Sequence, residues 1–365
     1  MARFADILSD ETKRGYKIQT GEYLPFGKYP IIDQGQSQIA GYTNLENGLF
    51  KDIPTIIFGD HTRIVKYVDT PFFLGADGVK ILKTKVNDAD YKYLFYCLQN
   101  AKIPNTGYNR HFKWLKEIEI PLPPLEEQRK IVAVLDKVSD LIAKRRTQLD
   151  KLDGLVKSRF IEMFGMPGTD AFGWGMDRLG NACYINPKKG QDTRLVKGLD
   201  VSFVPMPAVT EHGEIDASAR KKYEEVKTGF TYFAEHDVLF AKITPCMENG
   251  KGAIARNLCN GIGFGSTEFH VLRPIQEKTN PHWIYTLTSF SQFREDAANN
   301  MTGSAGQRRV PVSFLENYLV SVPPLDLQNR FTTFVAQTDK SKYFGMNGIK
   351  LLWKLNDIFL GAICE

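Results

Sequence analysis

Beyond Pro124 the apolar positions fall at Ile131, Leu135, Val138, Ile142, Leu149, Leu152, Val156 and Met163, in steps of three and four interrupted at Arg145 and Arg159. Lys, Arg, Asp and Glu fill the other faces. The pattern predicts a long two-faced helix with a heptad seam that requires a helical partner. Pro123-Pro124 suits its start, where missing amide donors cost nothing, and Gly165 ahead of Pro167 suits its end. At about 1.5 Å per residue the seam is roughly 48 Å long. The register recurs 200 positions later at Phe331, Val335, Thr338, Lys342, Gly345, Ile349, Leu352, Asn356, Phe359 and Ile363. Thr338, Lys342, Gly345 and Gly348 weaken the middle of this second rod, at about 1 kcal/mol per interior glycine, and predict a kink there.

The two rods begin alike. Pro123-Pro124-Leu125-Glu126-Glu127-Gln128 returns as Pro323-Pro324-Leu325-Asp326-Leu327-Gln328, so one architectural unit is used twice. The expected fold is two α/β (α+β) domains, each followed by a long helix, with the two helices paired as an antiparallel coiled coil and an internal pseudo-two-fold repeat. The boundaries fall at residues 1–122 and 166–322 for the domains, and at 123–165 and 323–365 for the helices. Two ordinary amphipathic helices in separate cores are the plainer alternative.

Within each domain the residues from Phe4 to Lys85 and from Met176 to Arg273 are strand-like, with β-branched and aromatic runs punctuated by Gly, Asn and Pro. Ile53 to Phe58 and Val238 to Ile243 read as equivalent buried strands. Different polar clusters follow them, Gly59-Asp60-His61-Thr62-Arg63 in one and Thr244 to Lys251 in the other. Helical patterns then run from Ala89 to Gln99 and from Pro281 to Ala298. Past these, Thr106-Gly107 with Asn109, Arg110, His111 and Lys113 matches Thr302-Gly303 with Ser304, Gln307, Arg308 and Arg309, allowing a four-residue insertion. Glycine, hydroxyl, amide and guanidinium groups in one loop are the chemistry that reads DNA: Arg pairs with guanine, Asn or Gln with adenine, Lys and backbone amides with phosphates. A solvated basic loop between a helix and a strand is the alternative for either copy.

Composition narrows the class. A chain of 365 residues, 42% hydrophobic and 24% charged, is that of a soluble protein of about two domains. The net charge of +5 permits a polyanionic partner without demanding one. Cys97, Cys183, Cys246, Cys259 and Cys364 are scattered without a Cys-x-x-Cys pair, which argues for reduced thiols in a cytosol. There is no signal-peptide core and no run of about 18 apolar residues, so neither secretion nor membrane insertion is expected. No glycine-rich dinucleotide, methyl-donor or phosphate loop occurs, and Asn186-Pro187-Lys188 fails the amino-methyltransferase motif. The six histidines lack metal-ligand spacing. Asp60 and His61 are a conceivable acid/base pair, but no nucleophile accompanies them. A binding subunit without cofactor or metal fits better than an enzyme.

The run Ile118-x-Ile120-Pro121-Leu122-Pro123-Pro124-Leu125-Glu126-Glu127-Gln128, with the helix ending Ser158-Arg159-Phe160-Ile161-Glu162-Met163-Phe164-Gly165, resembles the conserved region of the DNA-specificity (S) subunit of type I restriction-modification enzymes. The Thr-Gly loops and the Thr244-Pro245-Cys246 to Glu248-Asn249-Gly250-Lys251 segment are similar to motifs of that family's target-recognition domains. The resemblance covers essentially the whole chain. It implies two target-recognition domains, each reading one half of a split asymmetric site on double-stranded DNA, with the helices setting the spacing. It also implies two methyltransferase (M) subunits docked on those helices and carrying S-adenosylmethionine, restriction/translocase (R) subunits completing the complex, and a cytoplasmic, non-catalytic chain. The second motif departs from the pattern in having Asp326-Leu327 where an acidic pair is usual.

Candidate DNA contacts are Arg110, Lys113, Arg308 and Arg309 to backbone or guanine and Asn109 and Gln307 to bases, in loops set by Thr106, Gly107, Thr302 and Gly303. Gln34, Gln36, Gln38, Arg63, Lys242 and Lys251 are further candidates. Two other functions remain open: the DNA-recognition partner of a different restriction or phage-defence system, and a stand-alone pseudo-dimeric regulator.

Overall fold

The computed structural model describes residues 1–75, 77–107, 109–304 and 306–364, with the side chains of 191, 360 and 362–364 outside that description. The Ile363 side chain, at the end of the expected seam, therefore lies outside that description. The chain forms two compact units, one of residues 1–146 with the C-terminal segment from 346 onward, the other of residues 147–345.

In the first unit a four-stranded antiparallel sheet runs in the order Leu8–Asp10, Val79–Thr84, Thr55–Gly59, Val65–Val68. A second sheet holds Gly41–Thr43, Tyr29–Ile32 and Phe73–Leu74, the last two parallel. The second unit repeats this plan. Its first sheet is Cys183–Ile185, Phe269–Pro274, Val238–Ala241, Gly252–Ile254, and its second contains the parallel pair Asp200–Val204 and Ile262–Gly265. The expected equivalence of the two apolar runs holds: Thr55–Gly59 and Val238–Ala241 are the same strand of the same sheet, buried throughout.

Burial on both faces explains why these strands read as unbroken apolar runs rather than alternating ones. Ile56 and Phe58 point into a core with Tyr93, Leu94 and Leu98, while Ile57 points into another with Ile32, Phe72 and Ile81. In the second unit Val238 and Phe240 meet Trp283 and Phe293, and Leu239 and Ala241 meet Val204 and Phe233. The first helical pattern folds as Tyr91–Gln99, N-capped by Asp90. The second is corrected: it is two helices, Pro281–Ser289 and Ser291–Asn299, because Phe290 adopts an extended backbone (ψ 141°) that turns its ring onto Phe160, 5.2 Å between centroids.

Both rods form as single helices of 40 residues, Leu125–Phe164 and Leu325–Cys364. The first stops at Gly165, whose φ of +81° is left-handed and favours glycine. Leu135, Val138, Ile142 and Val156 are buried as the seam predicts, and Phe160 and Phe164 take the buried place near the end that Met163 was expected to hold. In the second rod Phe331, Val335, Thr338 and Asn356 are buried in the predicted register. The helix is continuous through Gly345 and Gly348, so the two glycines do not break it. Gly345 has a packing role instead: a Cβ there would lie 3.0 Å from Leu149 Cδ2, so the missing side chain lets the second rod approach the first. Further along the second unit, Phe331 packs edge-on against Phe160 and Phe164 at 5.6 and 5.4 Å, and Lys342 pairs with Asp153 at 2.5 Å. In the first unit the Arg146 guanidinium lies 6.0 Å from the Trp353 ring centroid.

The glutamine of each repeated motif explains how rod and domain join. Gln128 is fully buried; its carbonyl accepts the Asp90 amide (2.9 Å) and its amide donates to the Asp88 and Pro123 carbonyls (2.8 and 2.7 Å). Gln328 does the same with the Asn280 amide (3.0 Å) and the Lys278 and Pro323 carbonyls (2.9 and 2.8 Å). In both copies the amide held is that of the N-cap residue of the domain's main helix.

Candidate nucleic-acid interface

The two Thr-Gly loops dock at the same place, the C-terminal end of the central strand. In the first unit Asp60 follows that strand; its amide donates to the Gly78 carbonyl (2.6 Å) and its carbonyl accepts the His111 amide (2.7 Å). Its carboxylate is buried and accepts the Phe112 amide (2.7 Å), so Asp60 anchors the loop. In the second unit Lys242 occupies this position, donating to the Glu268 carbonyl (2.9 Å) and accepting the Val310 amide (2.9 Å). By these bonds Arg110 and Arg309 are equivalent, each standing just before the residue that caps the strand.

The side chains sort unequally. In the first loop Arg110 is exposed, Gly107 is exposed with φ +76°, and the Lys113 ammonium sits 4.1 Å over the Trp114 ring. The Asn109 carboxamide turns back onto Thr106, 2.6 Å to the carbonyl and 3.2 Å to the hydroxyl. Arg63 reaches the Ile103 carbonyl at 3.3 Å. Gln34 binds the Asp77 carbonyl (3.0 Å) and the His61 amide (3.2 Å), and Gln38 the Tyr67 carbonyl (2.8 Å), so both tie loops together, whereas Gln36 is exposed.

In the second loop Thr302 and Arg309 exchange backbone hydrogen bonds of 3.0 and 2.8 Å, and Gly303 is required because a Cβ would come within 2.9 Å of the Gln307 carbonyl at φ +115°. Gln307 is exposed. Arg308 is exposed and its Nη2 donates to the Ala298 and Met301 carbonyls (2.9 and 3.2 Å), capping the end of Ser291–Asn299. Arg309 forks onto Glu268 with two bonds of 2.9 Å, and that guanidinium holds the Glu268 carboxyl below the usual glutamate range. The Lys251 ammonium lies 3.9 Å from Glu211 and is mostly covered, and Lys242 is half-buried.

The segment 244–251 joins this surface. Its Thr244 amide donates to the Arg308 carbonyl (3.0 Å). Beneath it Arg294, 6% exposed, donates to the Met247, Gly250 and Lys251 carbonyls (2.8, 3.2 and 3.4 Å) and to Thr288 (2.7 Å), and stacks on Phe240 at 4.6 Å. Burial pushes its guanidinium down to about 10, still charged at neutral pH. Sequence reading missed Glu268 and Arg294. Neither gave a signal: Arg294 stands in the polar run Ser291-Gln292-Phe293-Arg294-Glu295-Asp296, where a charged residue is expected to face water.

A cavity of about 910 Å³ within the second unit is lined by Asp153, Glu211, Glu248, Arg256, His282 and Lys342, among others. His282 Nε2 accepts from Arg256, and burial followed by that cation pushes the imidazole down to about 4. The neutral ring is the form the fold holds. Its stabilisation is present above the unfolded value near 6.5 and is lost as pH falls through 4, up to about 3 kcal/mol. Denaturant titrations at pH 7 and pH 4 are expected to show His282→Gln losing about 3 kcal/mol less than wild type over that interval; equal losses would assign the acid sensitivity elsewhere. Among the described residues there is no cluster of metal-ligating side chains, and no helix is long and apolar enough to cross a membrane.

Comparison with known proteins agrees with the duplicated plan. The profile of the type I restriction modification DNA specificity domain matches residues 4–152 and 179–345. Over 202 residues, 53% of this chain and 33% of the relative, the chain is 36% identical to the type I restriction enzyme EcoAI specificity subunit of Escherichia coli. Over 161 residues, 43% of this chain and 26% of the relative, it is 42% identical to the EcoEI specificity subunit of the same organism. These matches span about a third and a quarter of the relatives' lengths. A solved structure of the type I restriction-modification S subunit from M. genitalium covers 99% of this chain and 94% of its own, at 16% identity and a TM-score of 0.47. Matched once in each half, the chain belongs to the type I restriction modification DNA specificity domain family.

Proposed function

We propose that this chain is a non-catalytic DNA-recognition subunit of a type I restriction-modification complex, each domain reading one half of a split asymmetric site. The domains are residues 1–122 and 166–322, and the segments 123–165 and 323–365 pair as an antiparallel coiled coil that fixes the distance between half-sites. One observation carries the reading: both Thr-Gly loops are moored to the same strand end by the same backbone bonds, yet present different polar groups. A common scaffold with divergent tips is what two recognition elements of different sequence preference require. The order of the pairs Phe160–Phe331, Asp153–Lys342 and Leu149–Gly345, numbers falling on one rod as they rise on the other, supports the antiparallel pairing.

Partner subunits supply the chemistry on this reading. Two methyltransferase subunits bring S-adenosylmethionine and dock on the rods, and translocating nuclease subunits complete the restriction form. Exposed apolar side chains on the second rod, including Phe344 at 75% and Ile358 at 66%, support such docking, since water-facing rings and branched chains on a helix need a partner to cover them. The test is to look for a methyltransferase among the neighbouring genes and to produce the chain together with it, followed by genome-wide mapping of methylated adenine. A split motif with one methylated adenine per half is expected. No new methylation, or tight site-specific binding by the isolated chain with none, would replace this reading with that of a stand-alone regulator.

A further inference from the structure

Arg309 carries five N–H donors in a rigid plane. Nε and Nη2 donate to the two Glu268 oxygens at 2.9 Å each, and Nη1 donates to the Gln307 carbonyl at 3.0 Å. With the Nε side of the fork occupied, the donors left over are one on each Nη; with the Gln307 carbonyl, two residues back on the main chain, taking the Nη1 hydrogen on the Cδ side, these two stand side by side on the distal edge. The side chain is 41% exposed. Its main chain is fixed as well, through the paired bonds to Thr302 and the bond from Val310 to Lys242. Two parallel donors on a pre-oriented guanidinium match the O6 and N7 acceptors of guanine in the major groove. A phosphate would also accept two bonds, but the Glu268 carboxylate cancels the local charge that draws a phosphate, while leaving the direction of the donors intact.

We propose that Arg309, oriented by Glu268, reads a guanine in the half-site of the second domain, with Arg309 the contacting residue and Glu268 a positioning residue; this rests on the DNA-recognition reading above. The device belongs to one domain. The bond from Lys242 to the Glu268 carbonyl corresponds to that from Asp60 to the Gly78 carbonyl, so glycine stands where the carboxylate would be. The neighbouring Asp77 is paired with Lys17 at 2.7 Å. Among the described residues no carboxylate forks onto Arg110 as Glu268 does onto Arg309, and the first domain reads its half-site by another arrangement on this proposal.

The test uses the full chain in complex with its methyltransferase subunits, a randomised duplex DNA library, and sequencing of the methylated molecules. Wild type is expected to require a G:C pair at one position of one half-site. Arg309→Lys and Glu268→Gln should each weaken that preference by about 5- to 100-fold, with the rest of that half-site and the other half unchanged. Glu268→Asp, which keeps a carboxylate, should retain more of it than Glu268→Gln, and Arg308→Lys should leave it intact. Three results overturn the inference alone: a split motif with no pair that responds to Arg309→Lys, a uniform loss of methylation across all sequences, or a lower melting temperature for Glu268→Gln with base preference unaltered. Should Glu268→Gln fail to fold, Arg309→Lys decides, because it preserves the charge and removes the fork. A wild-type complex that selects no sequence overturns the recognition reading, and this inference with it.

Discussion

Gln328→Leu is expected to destabilise the second unit by about 3–9 kcal/mol, because one donor and two acceptors inside the protein lose their partners at about 1–3 kcal/mol each. The leucine fills nearly the same volume, so packing does not account for the loss. Left without partners are the Asn280 amide and the Lys278 and Pro323 carbonyls, which bonded at 3.0, 2.9 and 2.8 Å. Gln328→Glu separates the contributions: its carboxylate still accepts from Asn280 but faces two carbonyls with negative charge, so it should be the worse variant at neutral pH and should recover on acidification. In a domain of this size the leucine substitution corresponds to a fall in melting temperature of about 6 °C or more. Gln128→Leu should have the same effect on the first unit. A midpoint within 2 °C or so of wild type would show that water or a shift of the helix start replaces the glutamine.

Arg294→Leu should cost about 3–5 kcal/mol, since four carbonyls lose hydrogen bonds to a charged donor. Its consequence is local as well as global. Three of the four acceptors belong to Met247, Gly250 and Lys251, so this guanidinium is what shapes the segment before the strand Gly252–Ile254. Amide hydrogen exchange across 245–252 is expected to rise in Arg294→Leu well before the rest of the unit opens, and trypsin should gain access after Lys251. Arg294→Lys keeps a cation, but one ammonium cannot span acceptors on two sides, so it should fall between. Unchanged exchange in the segment would mean that its other bonds, Met247 to Ile243 and Asn249 to Pro245, suffice.

What could be read from the sequence was periodic or repeated. The rods follow from apolar spacing, the central strands from runs of β-branched and aromatic residues, and the equivalence of the halves from Pro-Pro-Leu and Thr-Gly. Motif copies also show which position matters: Glu127 and Leu327 differ, one exposed and the other half-buried, while the buried glutamine one residue on is the same. What escaped depends on distance along the chain. Glu268 meets Arg309 across 41 residues, and Arg294 meets Met247 across 47, with no spacing rule to connect them. Gly345 misled in another way: propensity treats a helix glycine as a defect, and only the neighbouring Leu149 shows it as clearance. The break at Phe290 was hidden because apolar periodicity continues across it.

On the domain side each glutamine joint uses only main-chain atoms, the carbonyls of Asp88 and Lys278 and the amides of Asp90 and Asn280. Every residue type offers those atoms. The attachment therefore places almost no demand on the identity of the side chains it holds, and works as a standard fitting: any globule that ends a loop with the same backbone turn before its main helix could be mounted on the same rod. On the function proposed above, new sequence preferences would then arise by exchange of whole domains, with the rods left as they are.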